Sequence, residues 1–177
     1  MPKPLKLASF EQKVKISMEN VIIREVSAKD ELGILLIRNH PENYKWFFHN
    51  SPISAAEHKE WFTARLLNSR FFTLVAEADF QVIGTASLND YKDVSPKVSI
   101  SIRPGLNNSG VGTTLLNELV LRSKSAAIKS LSAEILEKNL ISLYFFSKNG
   151  FVKEYTDSRI IDNKLFGVIG LTLKLSD

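Results

Sequence analysis

The sequence contains no cysteine, and this absence excludes several kinds of chemistry at once. Disulfide bonds, thiolate metal sites and cysteine nucleophiles are all ruled out. Long hydrophobic runs are missing too, because no stretch approaches the roughly 18 apolar residues of a membrane-spanning helix. The first residues also lack the apolar centre of a secretory signal. We therefore expect a cytoplasmic protein that has no membrane partner.

A strong excess of one charge is also lacking. The net charge is +4, and the lysines and arginines are dispersed rather than arranged in a stripe, so nucleic acid is not an expected partner. A mild positive balance suits either solubility or attraction of a polyanionic small molecule such as a nucleotide cofactor. The three histidines match no metal-binding template, so no metal is expected.

The 177 residues fit a single domain preceded by an extension. Residues 1–17 hold two prolines, four lysines and no hydrophobic period, which predicts an N-terminal extension there and a domain over residues 18–177. Alternating and β-branched patterns predict strands at 21–26, 71–77, 82–88, 97–102, 131–136, 151–161 and 165–173. Helices are predicted from Ser27 to Arg38 or Asn39, from Ser54, over 111–127 and over 139–148. This order predicts an α/β (α+β) fold with a mixed sheet and helices on both faces.

The most informative stretch runs from Ile100 to Leu116, where a strand, a polar loop and a helix follow one another. Backbone amides at a helix start have no internal partners and can bind an anion. Gly110 and Gly112 would let a pyrophosphate approach the backbone closely. The loop follows the fourth strand, lacks a third glycine and lacks Gly-Lys-Ser/Thr, so neither a dinucleotide-binding fold nor a P-loop fits. A glycine-rich turn with no ligand is the alternative.

Two spaced motifs resemble the GNAT superfamily of N-acetyltransferases. The first is Asn107-x-x-Gly110-x-Gly112, where the family has Gln or Arg at the first position. The second places Asn139, Ser142, Phe146 and Gly150-Phe151 at the family spacing, about thirty residues later. The resemblance implies a mostly antiparallel sheet of about seven strands, and acetyl-CoA as the acetyl donor.

The resemblance also implies a cofactor site. Backbone groups around Ile100, Ile102 and Arg103 would pair with the pantetheine arm where the fourth and fifth strands part. Asn107 would add a side-chain contact to the cofactor, Asn139 would reach the pantetheine, and Phe146 would pack near the thioester. The residues expected to hold the pyrophosphate are Asn108, Ser109, Gly110, Val111, Gly112 and Thr113.

The implied reaction is direct attack by a neutral amine on the acetyl carbonyl. Many members of the family place a tyrosine acid where this chain has Phe146, and Tyr144 should point elsewhere because it lies roughly 200° around the helix. Asp90 or Ser101 would carry the amine proton through water. An ordinary solvated strand end is the alternative for both residues, and Glu77 has an equal but no stronger claim.

The acceptor side of the family is built by the first two helices and their loop, which here predicts substrate contacts from Arg38, Asn39, His49 and His58. This region resembles a GNAT subgroup that acetylates nucleotide-linked amino sugars. A ribosomal-protein-type N-terminal acetyltransferase is the nearest rival, and a non-catalytic acyl-CoA sensor is a third hypothesis. We expect a small-molecule amine as substrate, with a nucleotide sugar as one candidate, and a monomer or homodimer.

Overall fold

The computed structural model describes residues 16–91 and 93–175. The extension predicted over residues 1–17 lies outside them up to residue 15. The strands are β1 (Ile22–Glu25), β2 (Phe71–Ala78), β3 (Gln81–Asn89), β4 (Lys97–Ile102), β5 (Ser130–Leu136), β6 (Val152–Ile161) and β7 (Lys164–Lys174). The helices are α1 (Glu31–Arg38), α2 (Pro41–Tyr44), α3 (Ala55–Leu66), α4 (Val111–Ser125) and α5 (Leu140–Lys148). The predicted element order is confirmed, and α2 is a short helical turn after α1.

The strands form one seven-stranded sheet in the order β1-β2-β3-β4-β5-β7-β6. All neighbouring strands are antiparallel except β4 and β5, so the predicted mixed, mostly antiparallel sheet is confirmed. Two hairpins close with two-residue turns, Asp79-Phe80 and Asp162-Asn163, whose φ angles lie between 46° and 60°. Positive φ at both central residues gives a turn whose twist matches that of the strands.

Helices cover both faces of the sheet, as predicted. On one face, α4 contributes the fully buried Leu115 and Leu119, and α5 adds Phe146 to the same cluster. On the other face, Ile37 of α1 and Phe62 of α3 pack against β2 and β3. Full burial of each such side chain is worth about 1.5–3 kcal/mol, so these contacts hold the helices to the sheet. No helix among the described residues is long and apolar enough to cross a membrane.

Two side-chain caps fix where the helices of the first half begin. Ser54 accepts a hydrogen bond from Glu57 N, and the Glu57 carboxylate accepts one from Ser54 N at 2.8 Å, as the sequence predicts for α3. A second capping box joins Ser27 and Asp30 at the turn that leads into α1. Both boxes satisfy amides that the first helical turn leaves without partners.

An ion-pair network ties β1 and β2 to the start of α1. Asp30, which is 2% exposed, accepts hydrogen bonds from Arg24 Nη1 and Nη2 at 2.8 and 2.6 Å and from Ser27 N at 2.7 Å. The same guanidinium also pairs with Glu77 on β2. Glu77, an alternative base in the sequence analysis, is therefore occupied in this network.

The sheet parts between β4 and β5. Within the described residues, the two strands share a single register pair, Lys97 with Ser132, at the beginning of β4. β5 then continues beside β7, with paired residues from Ser130 to Leu136. A gap therefore opens along the second half of β4, toward the loop that leads into α4.

Candidate functional site

Two residues of β4, Ile100 and Ile102, turn backbone groups toward this gap. Arg103 N donates to Ile83 O at 2.8 Å, so the Arg103 amide faces β3 rather than the gap. Hydrogen-bonding direction alternates along a strand, so the backbone groups of Ile100 and Ile102 face the opposite side, where β5 has turned away. An extended chain entering the gap could pair with these two residues as an added strand does.

The carbonyl of Ile102 has a partner that the sequence analysis missed. The Asn43 side-chain amide on α2 donates to Ile102 O at 3.0 Å and to Ile37 O at 2.8 Å. One amide therefore links the end of α1 to the end of β4. Nothing in the pattern around Asn43 indicated this contact, because Ile102 lies 59 residues away in sequence.

The loop from β4 to α4 holds several backbone amides open. Leu106 is buried and anchors the loop in the core, whereas Asn107 and Asn108 are exposed. Asn108 and Gly110 have φ of 64° and 95°, and Gly110 caps α4 without any side-chain hydrogen bond. Among the described residues, the loop and helix-start amides that form no hydrogen bond are those of Gly105, Asn107, Asn108, Gly110, Gly112 and Thr113. Ser109 N, in contrast, donates to Leu106 O at 3.2 Å.

Open amides at the start of a 15-residue helix fit a diphosphate, because they add directed donors to the positive end of the helix dipole. Position 112 has little room for a side chain, since a Cβ there would lie 3.3 Å from the Phe145 ring and 3.8 Å from Ile102 Cγ1. Gly112 therefore keeps the space between α4, β4 and α5 clear. The residues present thus fit the pyrophosphate and pantetheine of a coenzyme A thioester.

Two other residues expected near the cofactor, Asn139 and Phe146, lie at the start and inside of α5. Asn139 is 7% exposed and caps α5 by accepting a hydrogen bond from Ser142 N at 3.2 Å. Phe146 is 4% exposed and meets Phe145 and Phe151 edge to face at 5.2 and 4.9 Å between ring centroids. Phe145, rather than Phe146, is the ring that faces Gly112. The expectation that Tyr144 points elsewhere is confirmed, since it is 69% exposed.

A cavity of about 660 Å³ lies on the face of the sheet opposite α4, between the sheet and helices α1 and α3. Its floor includes the hydroxyl-bearing side chains Thr73, Thr85, Ser87, Ser99 and Ser101. Its walls include Phe47, Trp61 and Phe71. The volume is in the range of small-molecule sites, and Ser99 and Ser101 alternate along β4 with the residues whose backbone faces the gap. The cavity therefore borders side chains of β4, whereas the gap borders the backbone of the same strand.

Four of the predicted site residues line this cavity, namely Arg38, His49, His58 and Ser101. Asn39 does not, because its side chain forms paired hydrogen bonds with the Ile53 backbone at 2.7 and 3.0 Å. Asp90 also lies outside the lining, where it forms an ion pair with Arg70 at 2.6 Å. The structure thus gives Asn39 a role in holding the loop before α3, and it places Asp90 in a strand-end turn.

Two arginines stand in the cavity wall, and the sequence analysis identified only one of them. Arg38 Nη2 donates to His49 O at 2.7 Å, and its guanidinium carbon lies 4.6 Å from the centroid of the Phe47 ring. Arg65, from the last turn of α3, donates to Asn89 Oδ1 at 2.5 Å. The Arg65 guanidinium also lies over Phe71 and Trp61, at 3.9 and 4.8 Å. Burial lowers the pKa of Arg38, and it lowers the pKa of Arg65 to about 10.

His58 is fully buried in the same wall, and its partner fixes its tautomer. Its Nε2 lies 3.1 Å from Glu31 O, which can only accept a hydrogen bond, so Nε2 carries the proton. The lone pair is then on Nδ1, which is buried and has no hydrogen-bond partner among the described residues. Burial is the main cause that lowers the pKa of His58 below its usual value of 6.5.

This lowered pKa predicts a pH dependence of stability. The folded protein keeps His58 neutral while the unfolded chain binds a proton, so the free energy of unfolding should fall as pH drops below about 6.5. Urea unfolding at pH 5.0 to 8.0 measures this, and His58→Gln should remove the part of the dependence that starts near pH 6.5. An identical pH profile in the two proteins would contradict the assignment.

A second polar cluster joins β4, β5 and β6 on the cavity face. Glu134 of β5 is 9% exposed at its side chain and binds Lys97, Arg159 and Tyr155 at 2.7, 2.7 and 2.8 Å. Arg159 also lies 4.5 Å from the centroid of Phe48, in the segment between α2 and α3. Burial opposes ionisation of Glu134, but these partners outweigh it and lower its pKa. Glu134 therefore holds the strands beside the gap rather than serving as a base.

Comparison with known proteins finds similarity to acetyltransferases. The acetyltransferase (GNAT) domain profile matches residues 20–152. An L-methionine sulfoximine/L-methionine sulfone acetyltransferase of Pseudomonas paraeruginosa is 26% identical over 135 residues, covering 73% of this chain and 78% of that protein.

Two solved structures share the fold. A spermidine N-acetyltransferase of Vibrio cholerae, in complex with CoA and spermine, superposes with a TM-score of 0.78 at 18% identity, over 89% of this chain and 96% of that one. The yncA protein of Salmonella typhimurium, solved with its cofactor acetyl-CoA, gives 0.75 at 20% identity, over 89% and 95%. At these identities the likeness shows the fold.

Proposed function

The chain belongs to the GNAT acetyltransferase family and is an N-acetyltransferase, and from this premise we propose that it moves the acetyl group of acetyl-CoA onto the primary amine of a small acceptor. The observation that carries the donor assignment is the row of open amides at Gly110, Gly112 and Thr113, directly beside the parting of β4 and β5. A diphosphate fits the amides, and a pantetheine arm fits the gap.

The cavity on the other face of β4 would hold the acceptor. Acetyl-CoA supplies an acetyl group activated as a thioester, and the acceptor amine must be neutral to attack it. Ser101 reaches the cavity from the same strand whose backbone borders the gap, so its hydroxyl can pass the amine proton to water. Phe146 cannot donate a proton, and a thiolate leaving group does not require an acid at that position.

A nucleotide-linked amino sugar remains the finer prediction for the acceptor. Aromatic walls from Phe47, Trp61 and Phe71 suit stacking against a sugar or a base, and the cavity volume of about 660 Å³ is adequate for a small polar molecule. The relative that acts on methionine sulfoximine and methionine sulfone makes an amino acid the main competing acceptor.

Release of free CoA thiol tests the function directly. Because the chain has no cysteine, a thiol reagent reports only the product. We expect thiol release that requires both acetyl-CoA and an amine, at a rate that rises with pH as the amine deprotonates. Calorimetry with acetyl-CoA runs in parallel. Binding without turnover across amino sugars, amino acids, polyamines and peptides would indicate a sensor and contradict the proposal.

A further inference from the structure

The acceptor cavity is lined by two partly buried arginines, Arg38 and Arg65, that no carboxylate among the described residues neutralises. From this we infer that the acceptor is anionic, and that Arg38 and Arg65 bind its carboxylate or phosphate group while its amine reaches β4. The inference rests on the proposed acetyltransferase function and names the substrate class of the same site. Arg38 lies on α1 and Arg65 lies on α3, and both side chains line the same cavity.

Neither guanidinium has a carboxylate partner among residues 16–91 and 93–175. Arg38 donates to a backbone carbonyl, and its Nη1 is buried without any hydrogen-bond partner in this part of the chain. Arg65 donates to the neutral amide of Asn89. Burial works against both charges, as their lowered pKa values indicate, and a buried charge is normally paired. A bound anion would supply the missing pairing.

Glu25 and Glu57 also line the cavity, but among the described residues neither forms an ion pair with Arg38 or Arg65. The Glu25 carboxylate is 3.5 Å from Arg122 of α4. Glu57 accepts the Ser54 amide in the capping box at the exposed start of α3. Asp90 raises the pKa of Arg65 but is itself paired with Arg70 outside the lining. The two guanidinium groups are therefore without a carboxylate partner among the described residues.

The surroundings of the two arginines hold them in position for such a ligand. Phe47 lies against one guanidinium, and Phe71 with Trp61 lies against the other. Aromatic faces fix a guanidinium plane while leaving edge N–H groups free to donate. Carboxylate and phosphate oxygens match that fork, often through two parallel hydrogen bonds. A polyamine, in contrast, would bring further positive charge beside two guanidinium groups that have no carboxylate partner among the described residues.

Matched acceptor pairs test the inference on the wild-type protein. L-methionine sulfone is compared with its carboxamide, and glucosamine 6-phosphate with glucosamine, at equal concentrations of unprotonated amine. Each pair differs by one anionic group, so the first pair reports a carboxylate and the second a phosphate. We expect at least one anionic member to exceed its neutral partner by on the order of 10- to 100-fold in kcat/KM, mainly through KM. Spermidine should be poorer than either anion.

Variants connect this preference to the two arginines. Arg38→Met and Arg65→Met keep an unbranched apolar stem, and each should reduce the anionic preference at least about tenfold while acetyl-CoA affinity stays within about twofold. Arg122→Met is the control, because Arg122 pairs with Glu118 and Glu25 on the other face and should leave the preference unchanged. Arg38→Lys and Arg65→Lys should retain part of the preference through charge alone.

The outcomes separate this inference from the proposed function. Equal or better turnover of the neutral members, or a preference that survives both Met variants, overturns the anionic acceptor but leaves the acetyltransferase intact. Failure to bind acetyl-CoA contradicts the proposed function instead. Calorimetric binding of the four probes without acetyl-CoA gives an independent readout. If neither anion binds more tightly than its neutral partner, the inference is wrong even when no probe is acetylated.

Discussion

Gly112→Asp should weaken acetyl-CoA binding by on the order of 100-fold, measured by calorimetry as the change in Kd. The new Cβ would lie 3.3 Å from the Phe145 ring, where the side chain occupies the space that Gly112 leaves open. The new carboxylate would also stand at the amides proposed to bind a diphosphate. Two unit charges about 4 Å apart repel by about 4 kcal/mol near a protein surface, which is ample for this loss.

Two matched variants separate charge from bulk. Asn117→Asp adds the same charge to an exposed position farther along α4 and should leave the Kd within about twofold. Gly112→Ala adds a methyl group without charge and should weaken binding by about tenfold or less, because Phe145 must move by a few tenths of an ångström. Wild-type affinity in folded Gly112→Asp would show that the cofactor binds elsewhere.

Asp30→Ala should destabilise the protein by about 3 kcal/mol, measured by urea unfolding at pH 7. The buried carboxylate accepts two hydrogen bonds from Arg24 and others from Ser27, and these link β1 to the start of α1. Without it, Glu77 is the one acidic partner that Arg24 retains among the described residues. Glu31→Ala removes a carboxylate from the same turn, where none of the described residues forms a side-chain hydrogen bond to it, and should cost less than about 1 kcal/mol.

The difference in unfolding free energy between wild type and Asp30→Ala should depend on pH. Burial opposes ionisation of Asp30, but hydrogen bonds from Arg24 and Ser27 outweigh it, so the pKa of Asp30 lies below its usual value of 3.8. The stabilisation is therefore present above that pH and is lost as pH falls toward the folded-state pKa. The gap between wild type and Asp30→Ala should shrink below about pH 4. A gap that widens in acid would contradict the network.

Much of the fold was predictable because its signals are local. The alternation in Lys97–Ile102 identified β4 with its bounds, and Ser54 with Glu57 identified the start of α3. The glycine loop before α4 was recognisable because its chemistry depends on backbone amides in consecutive residues. Such features depend on residues that are neighbours in the sequence, so a single sequence is enough to predict them.

The contacts that shape the acceptor side were not predictable in this way. Arg65 occupies an ordinary helical position, and its partner Asn89 lies 24 residues away. Asn43 reaches Ile102 across 59 residues, and Glu134 gathers partners 21 to 37 residues distant. Asn39 was expected to touch substrate because it lies in the region of the first two helices, which builds the acceptor side in the GNAT family, but the backbone of Ile53 satisfies its side chain. These roles depend on which strands and loops the topology brings together.

Amide chemical shifts during an acetyl-CoA titration test the central claim most directly. In ¹⁵N-labelled protein, we predict the largest changes at Gly110, Gly112 and Thr113, with further changes at Ile100 and Ile102. Inorganic pyrophosphate alone should shift the first three amides only. Saturation with acetyl-CoA that leaves the amides of Gly110 to Thr113 unmoved, with changes confined to another surface, would contradict the account.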